Sequence, residues 1–306
     1  MRRLGFHVSL AGGLAQLPPR AVYRHCTALQ MFTSSPSQWA QPPLDPAAGQ
    51  ALAATLAGLD IRPHFVHALY LLNLASPDRA LHRRSLRCLA VELQRAAQVG
   101  AAGVVVHLGS RGVAGRLLPA LRRLARSLEE ARVRAGQALP LLLENSAGAG
   151  GTVGSTLAEL AEVFSLAPAA EPLRLCLDTA HAFAAGLPLH TPEGLEEVLT
   201  GVDALPGDPR LALVHLNDSR HPFASRRDRH WHLGQGHLGR AALGRIVNHP
   251  RLHELPLIME TPGAAEDDRR NMRVLRRLLP PAERPPLRRL RAPVPSAHLT
   301  ARRTET

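Results

Sequence analysis

Eight short apolar runs recur along the chain, and a longer stretch with helical periodicity follows each of them. The runs read LGFH, ALQMF, HFVHA, GVVVHLG, LPLLLEN, LRLCLDT, LALVHLN and LPLIMET. Strands that alternate with helices are typical of parallel sheets in the α/β class. Eight such units predict a single (β/α)8 TIM barrel over residues 1–279, and the chain of 306 residues exceeds the roughly 250 that this barrel needs.

The stretch 77–99 shows the helix signals most clearly. Ser76 is a candidate N-cap, and Pro77 would occupy the first helical position. An apolar stripe is formed by Leu81, Leu86, Leu89 and Leu93. This spacing predicts a helix that packs against the outside of the barrel.

The charge distribution separates a C-terminal tail from the body of the protein. The formal net charge is +12, and all 37 basic residues are arginine, because the sequence contains no lysine. From Pro280 onward, closely spaced prolines and arginines exclude a periodic apolar face and predict a disordered basic tail over 280–306. Six arginines and two glutamates give that tail +4 and leave the body with +8. A basic body is typical of a protein with a polyanionic partner.

The sequence carries no sign of export or of membrane insertion. No apolar run reaches the roughly 18 residues of a membrane span, and the N-terminus MRRLGFHVSLAGG lacks the apolar stretch of a secretory signal. We therefore expect a cytoplasmic protein with no membrane partner. Cys26, Cys88 and Cys176 form no CxxC motif and cannot all pair, which argues against a disulfide framework and a thiolate zinc site.

Residues that can bind a metal stand at the C-terminal ends of six of the eight runs. They are His67, His107, Glu144, Asp178, His215 and Glu260. Three further residues follow in the loops, namely His181, Asp228 and His230. In a βα barrel, these strand ends converge on the catalytic face. A lone histidine at a strand end is more often a packing residue, but several that converge with carboxylates need cations to be stable.

The donor types narrow the choice of metal. Histidine with carboxylate and without thiolate favours zinc or manganese over magnesium or calcium. Nine ligands are too many for one ion and fit two or three. Asp228 and His230 are two residues apart, so in an extended segment both side chains point to the same side and can bind one ion.

Eight segments carry a family resemblance and occur in order along the chain. They read GFHVSLAGG, LYLLNLASPD, HLGS, LLLENSAGAGG, LCLDTAHAFAAG, VHLNDS, FASRRDRHWHLGQGHLG and LIMETPG. From about Gly5 to Thr261, the chain resembles the endonuclease IV family, zinc enzymes of the xylose-isomerase-like TIM barrel superfamily that nick DNA beside abasic sites.

The resemblance implies a site for three zinc ions, with manganese as an alternative at some positions. The first ion would be held by His67, His107 and Glu144, and Glu144 would also bridge to the second ion. The second site would be completed by Asp178, His215 and Glu260. The third ion would be held by His181, Asp228 and His230. The resemblance gives catalytic roles to Glu144, which is placed to orient the attacking water, and to Glu260.

The implied reaction is hydrolysis of the phosphodiester 5′ to an abasic site in double-stranded DNA. Attack on phosphorus in line with the leaving oxygen would leave a 3′ hydroxyl and a 5′ deoxyribose phosphate. The resemblance also implies trimming of 3′ blocking groups during base-excision repair. We accordingly expect a nucleoid-associated protein, and a monomer.

The resemblance also indicates residues that contact DNA. Tyr70 and Leu71 would fill the gap that an expelled abasic nucleotide leaves in the duplex. Weaker candidates for phosphate contact, or for support of the metal ligands, are His7, Ser9, Gln38, Trp39, Asn217 and Ser225. Two positions depart from the family pattern: Ser37 stands where a basic residue is common, and Gln235 where glutamate is common. We expect these departures to tune the activity rather than abolish it.

Two other functions are compatible with a metal-binding barrel. One is sugar isomerisation, because xylose-isomerase-like barrels use histidines and carboxylates on two ions. The other is a basic DNA-binding scaffold with a structural metal site. The ligand count for three ions, the basic body and the DRH segment favour a DNA enzyme over an isomerase. Structural zinc sites are usually closed cages of four ligands, which argues against the scaffold.

Overall fold

The computed structural model describes residues 1–167, 173–206 and 211–287. Eight parallel strands close into a barrel in which neighbours along the chain pair with each other. They are β1 (Leu4–His7), β2 (Ala28–Met31), β3 (His64–His67), β4 (Val104–His107), β5 (Leu141–Glu144), β6 (Leu173–Asp178), β7 (Leu211–His215) and β10 (Leu257–Met259). Strand β10 pairs with both β7 and β1 and so closes the ring. The predicted (β/α)8 barrel is confirmed.

Helices alternate with the strands and cover the barrel. Those between β1 and β5 are α1 (Leu17–Tyr23), α2 (Pro46–Gly58), α3 (Arg79–Gln98) and α4 (Leu117–Ala135). Those beyond β5 are α5 (Leu157–Leu166), α6 (Thr179–Ala185), α7 (Pro192–Asp203), α8 (Gly239–Asn248) and α9 (Ala265–Leu278). A short antiparallel pair, β8 (Asp218–Ser219) and β9 (His230–Trp231), lies between β7 and α8.

Helix α3 begins later than its N-cap signal predicts. Asp78 is the N-cap, and its carboxylate accepts from the backbone N–H groups of Ala80 and Leu81 at 2.7 and 3.0 Å. The hydroxyl of Ser76 instead accepts from the backbone N–H of Asp78 at 3.1 Å. The prediction of Ser76 as the cap was therefore wrong by two residues. A carboxylate that serves two first-turn donors and favours the helix dipole is the stronger cap.

The barrel interior is built in layers. A buried apolar cluster consists of Ala28, Phe65, Val105, Leu142, Cys176, Leu213 and Ile258. Each of these residues lies two positions before a polar residue at or next to the end of the same strand. Because alternate residues of a strand point to the same side, the polar residues form the next layer up, at the C-terminal mouth of the barrel. All three cysteines are buried and none forms a disulfide.

The start of the predicted tail packs on the barrel. Residues Pro281–Glu283 form a 3₁₀ turn, and the backbone carbonyl of Glu283 accepts from the N–H of Arg2 at 3.4 Å. The side chain of Arg284 donates to the carbonyl of Leu279 at 3.0 Å. The prediction of disorder from Pro280 onward is therefore wrong for these first residues of the tail, and the rest of it, 288–306, lies outside the described residues. None of the helices within the described ranges combines the length and hydropathy that a membrane crossing requires.

Candidate metal centre

The nine predicted metal ligands come together at the C-terminal mouth of the barrel. Their ligand atoms form three overlapping groups in which all atoms lie within 4.8 Å of one another. The groups are His67, His107 and Glu144; Glu144, Asp178, His215 and Glu260; and Asp178, His181 and His230. The ninth residue, Asp228, contacts the last group through His181 at 3.1 Å. Glu144 and Asp178 each belong to two of these groups, so each could contact two ions.

Glu144 lies at the centre of this cluster and is buried. Its Oε2 atom lies 3.2 Å from Nε2 of His67 and 3.0 Å from Nε2 of His107. Its Oε1 atom lies 3.2 Å from Nδ1 of His181 and from Nδ1 of His215. Each carboxylate oxygen thus faces two imidazoles, and the side chain can bridge two cations.

The third group is open to solvent on one side. Nε2 of His230 lies 3.3 Å from Oδ2 of the buried Asp178 and 3.7 Å from Oδ1 of Asp228. The side chain of Asp228 is 47% exposed, and that of His107 is 37% exposed. The resemblance assigned His181, Asp228 and His230 to one ion, and the geometry adds Asp178 to that set. A substrate can reach the cluster on the side of Asp228 and His107.

Four of the five imidazoles have their outer nitrogen next to an oxygen that only accepts hydrogen bonds. The pairs are His67 Nδ1 with the carbonyl of Ala68 (2.6 Å), His181 Nδ1 with that of Asn145 (3.0 Å), His230 Nδ1 with that of Glu260 (3.3 Å) and His215 Nε2 with Oε1 of Gln30 (2.8 Å). A proton on the outer nitrogen leaves the lone pair of the other nitrogen directed at the carboxylates, as metal-binding histidines require.

The spacing of the inner donors fits zinc. Imidazole nitrogens and carboxylate oxygens lie 3.0 to 3.3 Å apart at the closest contacts. Two donors at 2.0 to 2.1 Å from a tetrahedral zinc ion are roughly 3.3 Å apart. Lone pairs and carboxylates at this distance repel each other unless a proton or a metal ion lies between them. The donor set therefore fits zinc without a large rearrangement.

The electrostatics of the cluster show the same need for positive charge. Burial raises the pKa of Glu144, but the charges of His107 and His215 outweigh it and hold that pKa well below its usual range. Burial lowers the pKa of His181, but Asp178 and Asp228 outweigh it and raise that pKa well above 6.5. The carboxylates are thus ionised, and cations or protons must balance them.

Tyr70 lies on the rim of the cluster, whereas Ser37, Gln38 and Trp39 lie in the loop between β2 and α2. The Tyr70 side chain is 48% exposed, and its ring centroid lies 5.5 Å from that of His67. Leu71 beside it is partly buried. In the loop, Ser37 and Gln38 are exposed, whereas the Trp39 ring packs under the guanidinium of Arg84 at 4.5 Å. Trp39 is thus partly buried against the core and Arg84.

The other predicted DNA contacts differ in their surroundings. Asn217 is fully buried, and its amide donates to Oδ2 of Asp178 at 2.7 Å and accepts from the backbone N–H of Glu260 at 2.8 Å. Of its two predicted roles, the structure therefore favours support of the ligands. His7 lies 3.2 Å from Glu260, Ser9 accepts from the N–H of Ala11, and Ser225 Oγ is buried without a partner among the described residues. Gln235 is exposed.

Two residues that support the site were missed in the sequence. Gln30 occupies the second strand's place in the polar layer, and its position two residues after Ala28 on an apolar run could have revealed it. Asp218 is fully buried, and its carboxylate accepts from the backbone N–H groups of Ser219, Gly234, Gly236, Leu238 and Gly239. It fixes the loop between β9 and α8, and no sequence pattern distinguishes this role from a surface turn.

Comparisons with known proteins show the family of the chain. The model of the xylose isomerase-like TIM barrel family matches residues 22–278. The probable endonuclease 4 of Nitratidesulfovibrio vulgaris strain Hildenborough is 40% identical over 282 residues, covering 91% of this chain and 99% of that protein. That of Halothermothrix orenii is 37% identical over 267 residues, covering 87% and 96%.

Solved structures give the same result. The crystal structure of endonuclease IV from Thermus thermophilus matches with a TM-score of 0.79 at 39% identity, covering 90% of this chain and 98% of that one. A D-tagatose 3-epimerase-like protein, 19% identical with a TM-score of 0.67, shares the fold alone. The chain therefore belongs to the endonuclease IV family of xylose isomerase-like TIM barrels.

Proposed function

We propose that this protein is a zinc-dependent AP endonuclease of base-excision repair. It would hydrolyse the phosphodiester 5′ to an abasic site in duplex DNA, leave a 3′ hydroxyl and a 5′ deoxyribose phosphate, and trim 3′ blocking groups. The observation that carries the proposal is the convergence of three ligand groups that share Glu144 and Asp178. The names of its relatives in the endonuclease IV family support DNA as the substrate.

The grouping of the donors supports one distribution of residues over three ions. The first site consists of His67, His107 and Glu144; the second of Glu144, Asp178, His215 and Glu260; the third of Asp178, His181, Asp228 and His230. Four carboxylates against three divalent ions leave a net charge of about +2, which can receive a phosphodiester. When bound, zinc lowers the pKa of the water that serves as nucleophile and stabilises charge on the leaving oxygen.

The residues of the chain position the reacting groups. Glu144 is held by four imidazoles, so its oxygens cannot rotate away from the water that it would orient. His107 and Asp228 are the exposed members of the set, so the scissile phosphate enters on their side. The buried members face a site with little solvent, where fixed charges act more strongly on the transition state.

Tyr70 is the side chain best placed to recognise the lesion. It stands on the rim of the cluster, half exposed, with the Phe32 ring 5.1 Å away and packed edge to face against it. A ring fixed in this way can stack on a base next to an abasic gap without reordering. Removal of a nucleotide from the duplex costs least where its base is already lost, so a wedge at this point favours abasic DNA.

The test is cleavage of a duplex with one abasic analogue, with the metal content measured on the same preparation. We expect nicking 5′ to the lesion, about three zinc ions per chain, and loss of activity in a chelator. Glu260→Gln should lower the rate by about two to three orders of magnitude, because it removes one charge from the proposed site. Glu196→Gln, on the outer surface between α7 and α8, serves as the control.

Other outcomes would refute the proposal. Glu260→Gln with unimpaired nicking in zinc would remove that residue from the site. A fully metallated protein without activity on abasic DNA would redirect the assays to sugar isomerisation, the activity that the barrel alone leaves open. A protein without activity whose ions lie in closed sites and do not exchange with solution would favour a structural role for the metal.

A further inference from the structure

Gln30 joins two of the proposed ligands of the second ion. It lies on β2, is fully buried, and follows the inward-facing Ala28 by two residues. Its Nε2 atom donates to Oε1 of Glu260 at 2.7 Å, and its Oε1 atom lies 2.8 Å from Nε2 of His215. Six of the eight strands place a proposed ligand in this layer of the barrel, while β2 places this neutral amide there and β1 places His7.

The orientation of this amide is forced by its neighbours. A carboxylate only accepts hydrogen bonds, so the amide must turn its NH2 group towards Glu260 and its oxygen towards His215. An amide oxygen requires a proton on Nε2 of His215, which leaves the lone pair on Nδ1 of the neutral ring. The reversed amide would bring two oxygens to 2.7 Å from each other.

The hydrogen bonds of Gln30 leave Nδ1 of His215 and Oε2 of Glu260 free of its amide, and these two atoms face the cluster. Nδ1 of His215 lies 3.2 Å from Oε1 of Glu144 and 3.3 Å from Oε2 of Glu260. Oε1 of Glu260 is the oxygen bonded to Gln30, so Oε2 is left for the ion. Gln30 thus selects the nitrogen of His215 that is available, and together with His7, whose Nδ1 atom lies 3.2 Å from the same Oε1 atom, it selects the oxygen of Glu260.

We propose that Gln30 is a positioning residue for the second ion, and that it orders His215 and Glu260 before the ion binds. This inference rests on the proposed metal site. Loss of a supporting hydrogen bond of this kind typically weakens metal binding ten- to a hundredfold, because part of the binding free energy must then order the ligand side chains.

The experiment uses the full chain and zinc. Gln30→Met keeps the size of the side chain and removes both hydrogen bonds. Ions per chain are counted by mass spectrometry at graded free zinc, and the dissociation constant of the weakest ion is measured by competition with a chelator. We expect one ion to be held about ten- to a hundredfold more weakly. The metal-free variant should melt a few degrees below the metal-free wild type, because it loses two buried hydrogen bonds, so the zinc titrations are made at a temperature where both are folded.

Gln41→Met is the matched control. The Gln41 amide also donates to a buried carboxylate, Oε1 of Glu92 at 2.6 Å, but it lies on the outer side of the barrel and touches no proposed ligand. This variant should keep three ions with wild-type affinity. If Gln30→Met does not fold, Gln30→Ala replaces it, because Ala28 shows that β2 accommodates a small inward side chain.

The outcomes separate this inference from the proposed function. Wild-type affinity for all three ions in the Gln30 variant, or the same loss in Gln41→Met, would overturn the positioning role. A wild type that binds three ions but does not nick abasic DNA would refute the substrate and leave the role of Gln30 intact. A wild type that binds no zinc would overturn both.

Discussion

The Nε2 atoms of His181 and His230 lie 3.3 Å apart. Nδ1 of each ring faces a backbone carbonyl oxygen, that of Asn145 at 3.0 Å and that of Glu260 at 3.3 Å. With a proton on each Nδ1, two lone pairs face each other. The carboxylate of Asp228, 3.1 Å from His181, adds negative charge at the same place. Such a pair is stable only with a proton or a metal ion between the rings.

Protons and zinc compete for the space between the two rings, so we predict that zinc stabilises the protein more as the pH rises. Burial lowers the pKa of His181 and of His230, but Asp178 and Asp228 outweigh it and raise both above 6.5. The pKa of a histidine in the unfolded protein is about 6.5, and below that pH the protonated rings stabilise the metal-free fold in full. This stabilisation is lost as the pH rises through the raised pKa values of the two rings in the folded protein. Zinc needs the deprotonated nitrogens, so its affinity rises over the same window.

The measurement is the melting temperature with and without saturating zinc between about pH 6 and pH 9. The metal-free value should fall with rising pH, while the increase on adding zinc grows. An increase that stays constant over this range would show that protons and zinc do not compete for the histidines.

Asp228→Asn should remove one ion and leave the fold intact. Asp228 is the exposed ligand of the third group, and the amide loses the charge that attracts a cation between His181 and His230. We expect two zinc ions per chain and a rate of nicking lower by about two to three orders of magnitude. Asp203→Asn, at a 64% exposed side chain on α7, is the control and should keep three ions. Equal ion counts in the two variants would remove Asp228 from the site.

The barrel was predictable from the sequence because its signals are local. Apolar runs of strand length are visible one at a time, and the ends of strands in this fold meet at one mouth wherever they stand in the chain. The ligand positions followed from this rule, as with His67 and His215. The spacing of Gln30 from Ala28 marks it as an inward-facing residue, but its role was not predictable, because only the barrel brings its partner Glu260 next to it.

Competition between hydrogen-bonding groups explains two further results that the sequence left open or predicted wrongly, the role of Asn217 and the N-cap of α3. The sequence left two roles open for Asn217, phosphate contact and support of the metal ligands, and its bonds to Asp178 and Glu260 favour the second. The N-cap of α3 moved from Ser76 to Asp78 because the carboxylate serves more first-turn donors. In each case several groups could have made the bond, and only their three-dimensional arrangement decides which one does.

Tyr70→Ala should weaken binding of abasic duplex with little effect on stability. The side chain is 48% exposed, so little packing is lost, whereas stacking of one base on an aromatic ring contributes about 1–3 kcal/mol. We expect affinity for abasic duplex to fall about tenfold, and Tyr70→Phe to retain it because the ring remains. Binding is measured by fluorescence anisotropy in a Glu260→Gln background, so that the duplex is not cut during the titration. Undiminished affinity of the alanine variant would refute the wedge.

Asp218→Asn should destabilise the protein although no proposed ligand changes. The two carboxylate oxygens of Asp218 accept five backbone N–H groups, and in asparagine one oxygen becomes an NH2 group that faces donors. Buried donors without an acceptor cost about 1–3 kcal/mol, which corresponds to a fall of about 2–5 °C in melting temperature for a chain of this size. Scanning calorimetry of the metal-free protein measures the effect without any contribution from zinc.

The control for this prediction is Asp45→Asn. Asp45 caps the exposed N-terminus of α2 through a bond to the N–H of Ala47 at 3.0 Å, and asparagine caps a helix about equally well. Its melting temperature should stay within about 1 °C of the wild type, since surface substitutions rarely exceed 0.5 kcal/mol. Equal, small effects at both positions would mean that the loop around Gly234 and Gly236 reorganises to satisfy its donors. In that case Asp218 would not be what fixes the segment between β9 and α8, next to His230.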